Sequence, residues 1–141
     1  MSSVKNLDQI RAANALKHCA PSVDDKSFRG VDDGEVVKKV PTMIRENGFL
    51  GALAFALESS KGGWKNPGHN KVFECILDHL KALKRVPDTL GSPYELMEYL
   101  VNDADSAKLR DVTAESLLYM NYLRRFVRPK QKDDASQRKD S

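Results

Sequence analysis

Apolar residues recur every three or four positions along most of this chain, which is the spacing of one face of an α-helix. Nowhere does strict alternation of apolar and polar residues run long enough to predict a half-buried strand. The first helical run opens with Asn6 as N-cap and Gln9 at the third helical position, and Pro21 ends it. The pattern therefore predicts an all-α protein.

The second and third predicted helices meet at a glycine. Asp32 and Glu35 open the second helix, and Gly48 ends it because glycine accepts the left-handed conformation beyond a last helical turn. Pro41 lies inside this helix, where it predicts a kink or a fresh start. The third helix, residues 50–60, is apolar on nearly every side, which predicts that it is the central, most buried element.

Two further helices have clear start signals. Asn66 followed by Pro67 begins the fourth helix, whose apolar face continues to Val86. The segment SPYE (residues 92–95) combines a capping box with a proline at the first helical position. It therefore predicts a short fifth helix.

The last predicted helix runs from about Asp103 or Asp105 to Val127. We expect these elements to form one compact bundle of about six helices, the domain of residues 1–128. Residues 129–141 are polar and are predicted to be a disordered tail.

Composition places the chain among globular proteins. It has 141 residues, of which 40% are hydrophobic and 30% charged, as is typical of one domain with a buried core. No apolar run approaches the length that spans a bilayer, and the N-terminus lacks the basic and apolar regions of a leader. We therefore expect a cytoplasmic protein that does not contact membranes.

Charge is distributed unevenly, although the net charge is only +3. Residues 61–86 carry six positive and two negative side chains, residues 87–116 carry two and seven, and residues 117–132 carry five and none. Two basic segments thus flank an acidic one, and the basic segments are the ones suited to contact phosphates.

The residues that could perform catalysis or bind metal do not form a recognised set. His18-Cys19 and Cys75-x3-His79 supply two cysteines and two histidines, but no Cys-x2-Cys pair of the structural zinc type. The sequence has neither a Gly-x-Ser-x-Gly elbow nor a phosphate-binding glycine loop. We predict that the chain is not an enzyme and needs no metal or cofactor, and that both cysteines are small buried hydrophobes.

Trp64 lies between Lys61 and Lys65, next to a pair of glycines. A large aromatic ring among cations is an arrangement that stacks a nucleobase while it holds phosphate. The alternative is that the indole packs on the bundle and the lysines are solvated. The sequence leaves both interpretations open.

Three sequence blocks carry a resemblance to a known family. They are NLDQIRAANA (residues 6–15), VPTMIRENGFLGALAF (residues 40–55), and RDVTAE (residues 110–115) leading to YLRRF (residues 122–126). In this order and spacing they resemble the small α-helical subunit of the type III-B (Cmr) CRISPR effector complex. The resemblance covers roughly residues 5–128.

The resemblance implies a non-catalytic subunit of an RNA-guided, RNA-targeting complex. Such a subunit stacks head to tail with its own copies, docks on the backbone and large subunits, and touches the backbone of the paired guide and target RNA. Arginine and lysine supply contacts of this kind. The candidate RNA-binding residues are Arg11, Arg45, Lys61, Lys65, Arg110, Arg124 and Arg125.

Two other functions stay open at this point. A small helical DNA-binding regulator would use the helices around Gly48 as a helix-turn-helix, although its second helix is almost wholly apolar and a recognition helix needs polar side chains. A protein-only adaptor would have no nucleic-acid contact, and only the basic segments argue against it.

Overall fold

The computed structural model describes residues 5–19 and 31–127, and the side chains of all of these except residues 31–34. The all-α prediction is confirmed, because helices make up nearly all of the regular structure in this part of the chain. The elements are α1 (Leu7–Cys19), α2 (Val31–Ala56), β1 (Ser59–Ser60), β2 (Gly63–Trp64), α3 (Pro67–Ala82), α4 (Pro93–Asn102) and α5 (Ser106–Phe126). The predicted stop at Pro21, the cap at Asp32 and the tail of residues 129–141 lie outside the described residues and side chains.

The prediction of about six helices is wrong by one, because the described residues form five. The second and third predicted helices fall within the single element α2. Its backbone leaves the helical region at Gly48, where φ is 82° and ψ is 161°. This region is essentially restricted to glycine. Pro41 lies in the uninterrupted part of α2, so the predicted break comes at the glycine and not at the proline.

Local capping signals place the helix starts. Asn6 and Gln9 exchange two hydrogen bonds, from Gln9 N to Asn6 Oδ1 at 2.8 Å and from Asn6 N to Gln9 Oε1 at 2.9 Å. Ser92 Oγ accepts from the backbone N–H three residues later at 3.2 Å, and Asp105 Oδ1 does the same at 2.8 Å. Each bond satisfies a backbone donor that has no partner inside its helix.

Two asparagine side chains join the end of α2 to the start of α3. Asn66 precedes α3 and Pro67 occupies its first turn, as predicted. The Asn66 amide donates to the carbonyl oxygen of Phe55 at 2.9 Å, and the buried Asn70 amide donates to that of Ala56 at 3.2 Å. These bonds fix both ends of the intervening hairpin.

Helix α3 is the centre of the bundle, since it packs against all four other helices. Phe73, Ile76 and Leu80 are among its fully buried side chains. The prediction that residues 50–60 form the central element is therefore wrong. That segment buries one side and exposes Ala54 on the other.

The first and last helices lie side by side, since α1 packs mainly on α5. Helix α4 packs on α2 and α3 instead. Strands β1 and β2 pair antiparallel, with Ser59 opposite Trp64 and Ser60 opposite Gly63. Strands of two residues are too short to produce the alternation that predicts a strand, so this hairpin was not predictable from the sequence pattern.

Candidate nucleic-acid interface

An ion pair joins the first and last helices. The Arg11 guanidinium donates two hydrogen bonds to the Glu115 carboxylate, from Nε to Oε2 and from Nη2 to Oε1, each at 2.8 Å. The side chain of Arg11 is 12% exposed and that of Glu115 is 3% exposed. A two-pronged pair of this kind fixes orientation as well as distance. Arg11, a candidate RNA-binding residue by sequence, is thus engaged in holding α1 on α5.

His79 extends this ion pair into the core. Its Nε2 lies 2.8 Å from Glu115 Oε2, and its Nδ1 lies 2.9 Å from the amide nitrogen of Asn14. In the neutral ring with its proton on Nε2, Nε2–H donates to Glu115 and Nδ1 accepts from Asn14, so both nitrogens are satisfied. The ring stacks on Tyr119 with centroids 4.3 Å apart. We call Arg11, Asn14, His79 and Glu115 the buried polar network.

Arg85 borders this network from the loop after α3. Its Nη1 donates to Asp111 Oδ1 at 2.5 Å, and its Nη2 lies 4.0 Å from Glu115 Oε1. This network was not predicted from the sequence, although one signal was present: His79 and Glu115 occupy positions on the apolar faces of α3 and α5. A polar side chain at such a position needs a buried partner.

Burial and pairing shift the pKa values of the network. Burial lowers the pKa of His79 below its usual 6.5, and this outweighs the hydrogen bond to Glu115, which acts to raise it. Burial alone would raise the pKa of Glu115, but the hydrogen bonds from Arg11 and His79 together lower it below 4.5. At neutral pH the network therefore holds a carboxylate, a guanidinium and a neutral imidazole.

Acid should destabilise the fold through His79. Because the pKa of His79 is lower in the folded chain than the usual 6.5, the unfolded chain binds an extra proton as the pH falls below that value. The contribution of neutral His79 to the stability of the fold is therefore complete above about pH 6.5 and is lost as the pH falls below it. The melting temperature, followed by circular dichroism, should be level above about pH 7 and fall as the pH is lowered to about 5.

A His79→Gln variant tests this expectation, since glutamine does not titrate. Its melting temperature should be lower at neutral pH but should fall less steeply between about pH 6.5 and 5. His69→Gln is the comparison, because burial also lowers the pKa of the half-buried His69, which lies outside the network, so this variant should lose less of the pH dependence than His79→Gln does. A His79→Gln variant that keeps the full pH dependence of the natural chain would contradict the assignment.

Three candidate RNA-binding residues lie on the exposed side of α5. Arg110 is near the start of the helix, where its Nη1 donates to Ser106 Oγ at 3.5 Å, and Arg124 and Arg125 occupy the last turn. Arg110 and Arg125 are separated by about 22 Å along the axis at a rise of about 1.5 Å per residue. None of the three forms an ion pair within the described residues. We call them the α5 surface.

A second basic surface lies on α2. Arg45 is exposed, and Lys38 lies on the same face two turns earlier. A groove of about 320 Å³ opens beside them, lined by Lys38, Lys39, Thr42, Met43, Glu46 and Asn47. Lys38 and Lys39 were not predicted from the sequence, although the seven-residue spacing from Lys38 to Arg45 was a signal for Lys38. We call Lys38, Lys39 and Arg45 the α2 surface.

Lys61 and Lys65 lie on the hairpin between α2 and α3. All residues from 58 to 65 are exposed. Lys65 Nζ lies 3.8 Å from Glu58 Oε1, whereas Lys61 has no ion pair in the part of the chain that the structure describes. The seven candidate residues are therefore spread over the buried polar network, the α5 surface, the α2 surface and the hairpin.

The acidic segment forms a surface of its own. A groove of about 470 Å³ opens there, lined by Pro87, Thr89, Leu90, Glu95, Glu98, Tyr99, Asn102 and Asp103. Its carboxylates repel phosphate, since like charges raise the energy of contact. This surface is therefore unsuited to RNA and provides positions for control substitutions.

Residues 7–129 match the profile of the CRISPR-associated protein family Cas_Cmr5. The match begins at the first residue of α1 and extends past the end of α5. The chain belongs to this family. It is accordingly a Cmr5 small subunit of a type III-B CRISPR complex, which confirms the resemblance drawn from the three sequence blocks. No curated protein and no solved structure matches it.

The blocks at the two ends of this Cas_Cmr5 chain meet in the structure. Arg11 of the first block binds Glu115 of the third, and the Tyr122 hydroxyl donates to Asp8 Oδ1 at 2.8 Å. The middle block contains Gly48, where α2 changes direction. The residues that carry the family resemblance thus specify how the helices pack.

Reactive groups are few in the described part of this Cas_Cmr5 chain. Within it, no three His, Cys, Asp or Glu side chains are placed to hold a metal ion. Both cysteines are free and buried, and burial raises the pKa of the Cys19 thiol to about 11 and also raises that of Cys75. Thiols in this state are weak nucleophiles at neutral pH. Among the described helices, none is long and apolar enough to cross a membrane.

Proposed function

We propose that this Cas_Cmr5 chain is a non-catalytic binding subunit of its complex in the cytoplasm, and that it contacts the backbone of the guide and target RNA. It associates with its own copies and with the backbone and large subunits. The observation that carries the RNA contact is the α5 surface, whose three arginines are exposed and lack an ion-pair partner among the described residues. Unpaired cations of this kind bind phosphates without reading sequence.

The α2 surface and the hairpin lysines extend the proposed RNA contact. Arg45 and Lys61 are exposed and form no ion pair with the described residues. Lys65 has only an exposed partner at 3.8 Å, and exposed pairs of this kind contribute little. Arg11 differs from the other six candidates, because its strongest bonds go to Glu115. We propose that Arg11 supports the interface by orienting α1.

The placement of the reactive side chains supports a non-catalytic role. His79 and Glu115 resemble a general acid–base pair in spacing, but they are 1% and 3% exposed and their polar atoms bind each other, Asn14 and Arg11. A substrate needs access to such groups within hydrogen-bond reach. Here the groups hold three helices together.

The structure argues against the regulator hypothesis. A recognition helix must present polar side chains to the edges of bases. The part of α2 after Gly48 buries Phe49, Ala52, Leu53 and Ala56 in the core instead. The protein-only adaptor differs from our proposal only in its lack of RNA, so the experiment must detect RNA directly.

Native purification of the tagged chain from its own cells tests the proposal. We expect the other subunits of the complex to co-purify, together with short RNAs of uniform length that share a guide-like sequence. An untagged strain is the control. Partner proteins without RNA would favour the adaptor, and DNA fragments with one shared sequence would favour the regulator.

A further inference from the structure

Trp64 lies on a hairpin that projects from the bundle. The pairing of Ser59 with Trp64 and of Ser60 with Gly63 fixes the two short strands, and Lys65 N donates to the carbonyl oxygen of Glu58 at 2.9 Å. The hydrogen bond from Asn66 to Phe55 anchors the base of the hairpin. These hydrogen bonds therefore hold the backbone on both sides of Trp64 in place.

The indole of Trp64 does not belong to the core. It is 47% exposed, and it is absent from the partly buried apolar side chains that pack against the described core. Tryptophan carries a large apolar surface that dominates burial energies in cores and interfaces. About half of the surface of Trp64 is thus open to solvent, which favours the stacking interpretation over the one in which the indole packs on the bundle.

The space around the hairpin tip is open. A Cβ atom added to Gly62 or Gly63 would meet no atom within 4 Å other than those of the glycine and its two chain neighbours. Gly63 also has a φ of +120°, which L side chains rarely adopt, so this position is suited to glycine and keeps the tip free of side chains. A planar ligand can therefore approach Trp64.

The charges beside Trp64 favour an anionic ligand. Lys61 and Lys65 lie on the same exposed hairpin as Trp64, within three positions of it, and Glu58 of this hairpin pairs with Lys65 through exposed atoms 3.8 Å apart. A pair of this kind is weak and easily exchanged for a phosphate. An aromatic face between lysines is the arrangement by which proteins hold single-stranded nucleic acid.

We propose that Trp64 stacks on an unpaired nucleobase of RNA while Lys61 and Lys65 contact the adjoining phosphates. This goes beyond the proposed function, which involves only the backbone, because bases inside a duplex are already stacked and cannot lie on the indole. The ligand is therefore a nucleotide outside the paired guide and target. Stacking of this type tolerates any base, since every base has a π-face.

The chain contains one tryptophan, so its fluorescence, excited where tyrosine does not absorb, reports on Trp64 alone. The full-length chain is titrated at low salt with an unstructured single-stranded RNA, the same RNA annealed to its complement, and inorganic phosphate. We expect saturable quenching by the single strand and little quenching by the duplex or by phosphate. Equal quenching by the single strand and the duplex would overturn the proposal.

Variants separate stacking from charge, with binding measured by the polarisation of labelled single-stranded RNA. Trp64→Ala should weaken binding by about fivefold or more, the effect of losing one stacked base, and Trp64→Phe should recover most of it. Tyr94→Ala is the control, because Tyr94 is 57% exposed on the acidic side of the molecule. If Trp64→Ala bound the RNA as tightly as the natural chain while Lys61→Glu bound it more weakly, charge alone would explain the binding. That result would overturn the stacking proposal.

The assembled complex distinguishes this inference from the proposed function. Complexes that contain Trp64→Ala should still co-purify with guide RNA, because the backbone contacts are intact. Shielding of Trp64 from a soluble quencher by the partner subunits without RNA would show that a protein covers the indole, and would overturn the nucleobase assignment. If complexes that contain the natural chain co-purified without guide RNA, that result would contradict the proposed function instead.

Discussion

Replacing Glu115 by alanine should lower the free energy of unfolding by about 3–5 kcal/mol, the loss expected when one partner of a buried ion pair is removed. The substitution leaves the Arg11 guanidinium and the Nε2–H of His79 without their acceptor in a site that is nearly closed to solvent. Urea denaturation followed by circular dichroism measures the change. Because small domains have a total stability of only about 5–15 kcal/mol, the variant should be close to unfolding.

Two further variants show that the loss comes from the buried polar network. Glu98→Ala removes an exposed carboxylate of α4 that has no ion pair within the described residues, and it should change stability by about 0.5 kcal/mol or less. Arg11→Ala combined with Glu115→Ala should cost less than the sum of the single changes, because the residues form one network. Equal stability of the Glu115→Ala and Glu98→Ala variants would contradict this account.

The helices were predictable because their starts depend on neighbouring residues. The bonds between Asn6 and Gln9, and those at Ser92 and Asp105, join residues three positions apart, so they are legible in the sequence. The number of helices was not predictable from the sequence, because whether α2 is one element or two depends on the conformation of a single residue, Gly48.

The buried polar network could not be predicted from local sequence patterns. Arg11 and Glu115 are 104 positions apart, and His79 and Glu115 are 36 apart. Their pairing depends on how α1, α3 and α5 pack, which no periodicity specifies. For the same reason the role of Arg11 was not predictable. The sequence shows an arginine in a family-like block, and only the packing shows that its guanidinium binds Glu115.

Exposed candidates were easier to place. Arg45, Arg110, Arg124 and Arg125 occupy positions opposite the apolar faces of their helices, and the structure exposes all four. What the sequence could not show is their grouping, because surfaces on different helices are related by tertiary packing. Lys38 was added to Arg45 because the two lie seven residues apart on one face of α2, and Lys39 was added because it lines a groove with Lys38.

Charge reversal at the end of α5 should weaken the capture of target RNA by the assembled complex. In the Arg124→Glu/Arg125→Glu variant, two cations of the α5 surface become carboxylates, which removes phosphate contacts and adds repulsion. Each lost contact lowers the slope of log affinity against log salt by about 0.7–0.9, so we expect roughly tenfold weaker capture near 0.1 M salt. The helical circular dichroism signal should be unchanged, because both residues are exposed.

The Lys81→Glu/Lys84→Glu variant is the matched control. It makes the same change in charge near the end of another helix, since Lys81 occupies the last turn of α3 and Lys84 follows it. Lys84 pairs with Asp88 at 3.7 Å, and the neighbouring Arg85 contacts Asp111 near the start of α5, so the two lysines lie at the opposite end of α5 from Arg124 and Arg125. A loss of capture caused by added negative charge in general should therefore appear in both variants. A loss caused by a specific RNA contact should appear only in Arg124→Glu/Arg125→Glu.

The most direct test of this account is a titration of complementary target RNA into the reconstituted, guide-loaded complex at several salt concentrations. We expect weaker capture and a shallower salt dependence for Arg124→Glu/Arg125→Glu, whereas Lys81→Glu/Lys84→Glu should remain close to the natural chain. Equal losses in both variants would contradict the α5 surface as the RNA contact. Unchanged capture in both would contradict an RNA contact by this surface and favour the protein-only adaptor.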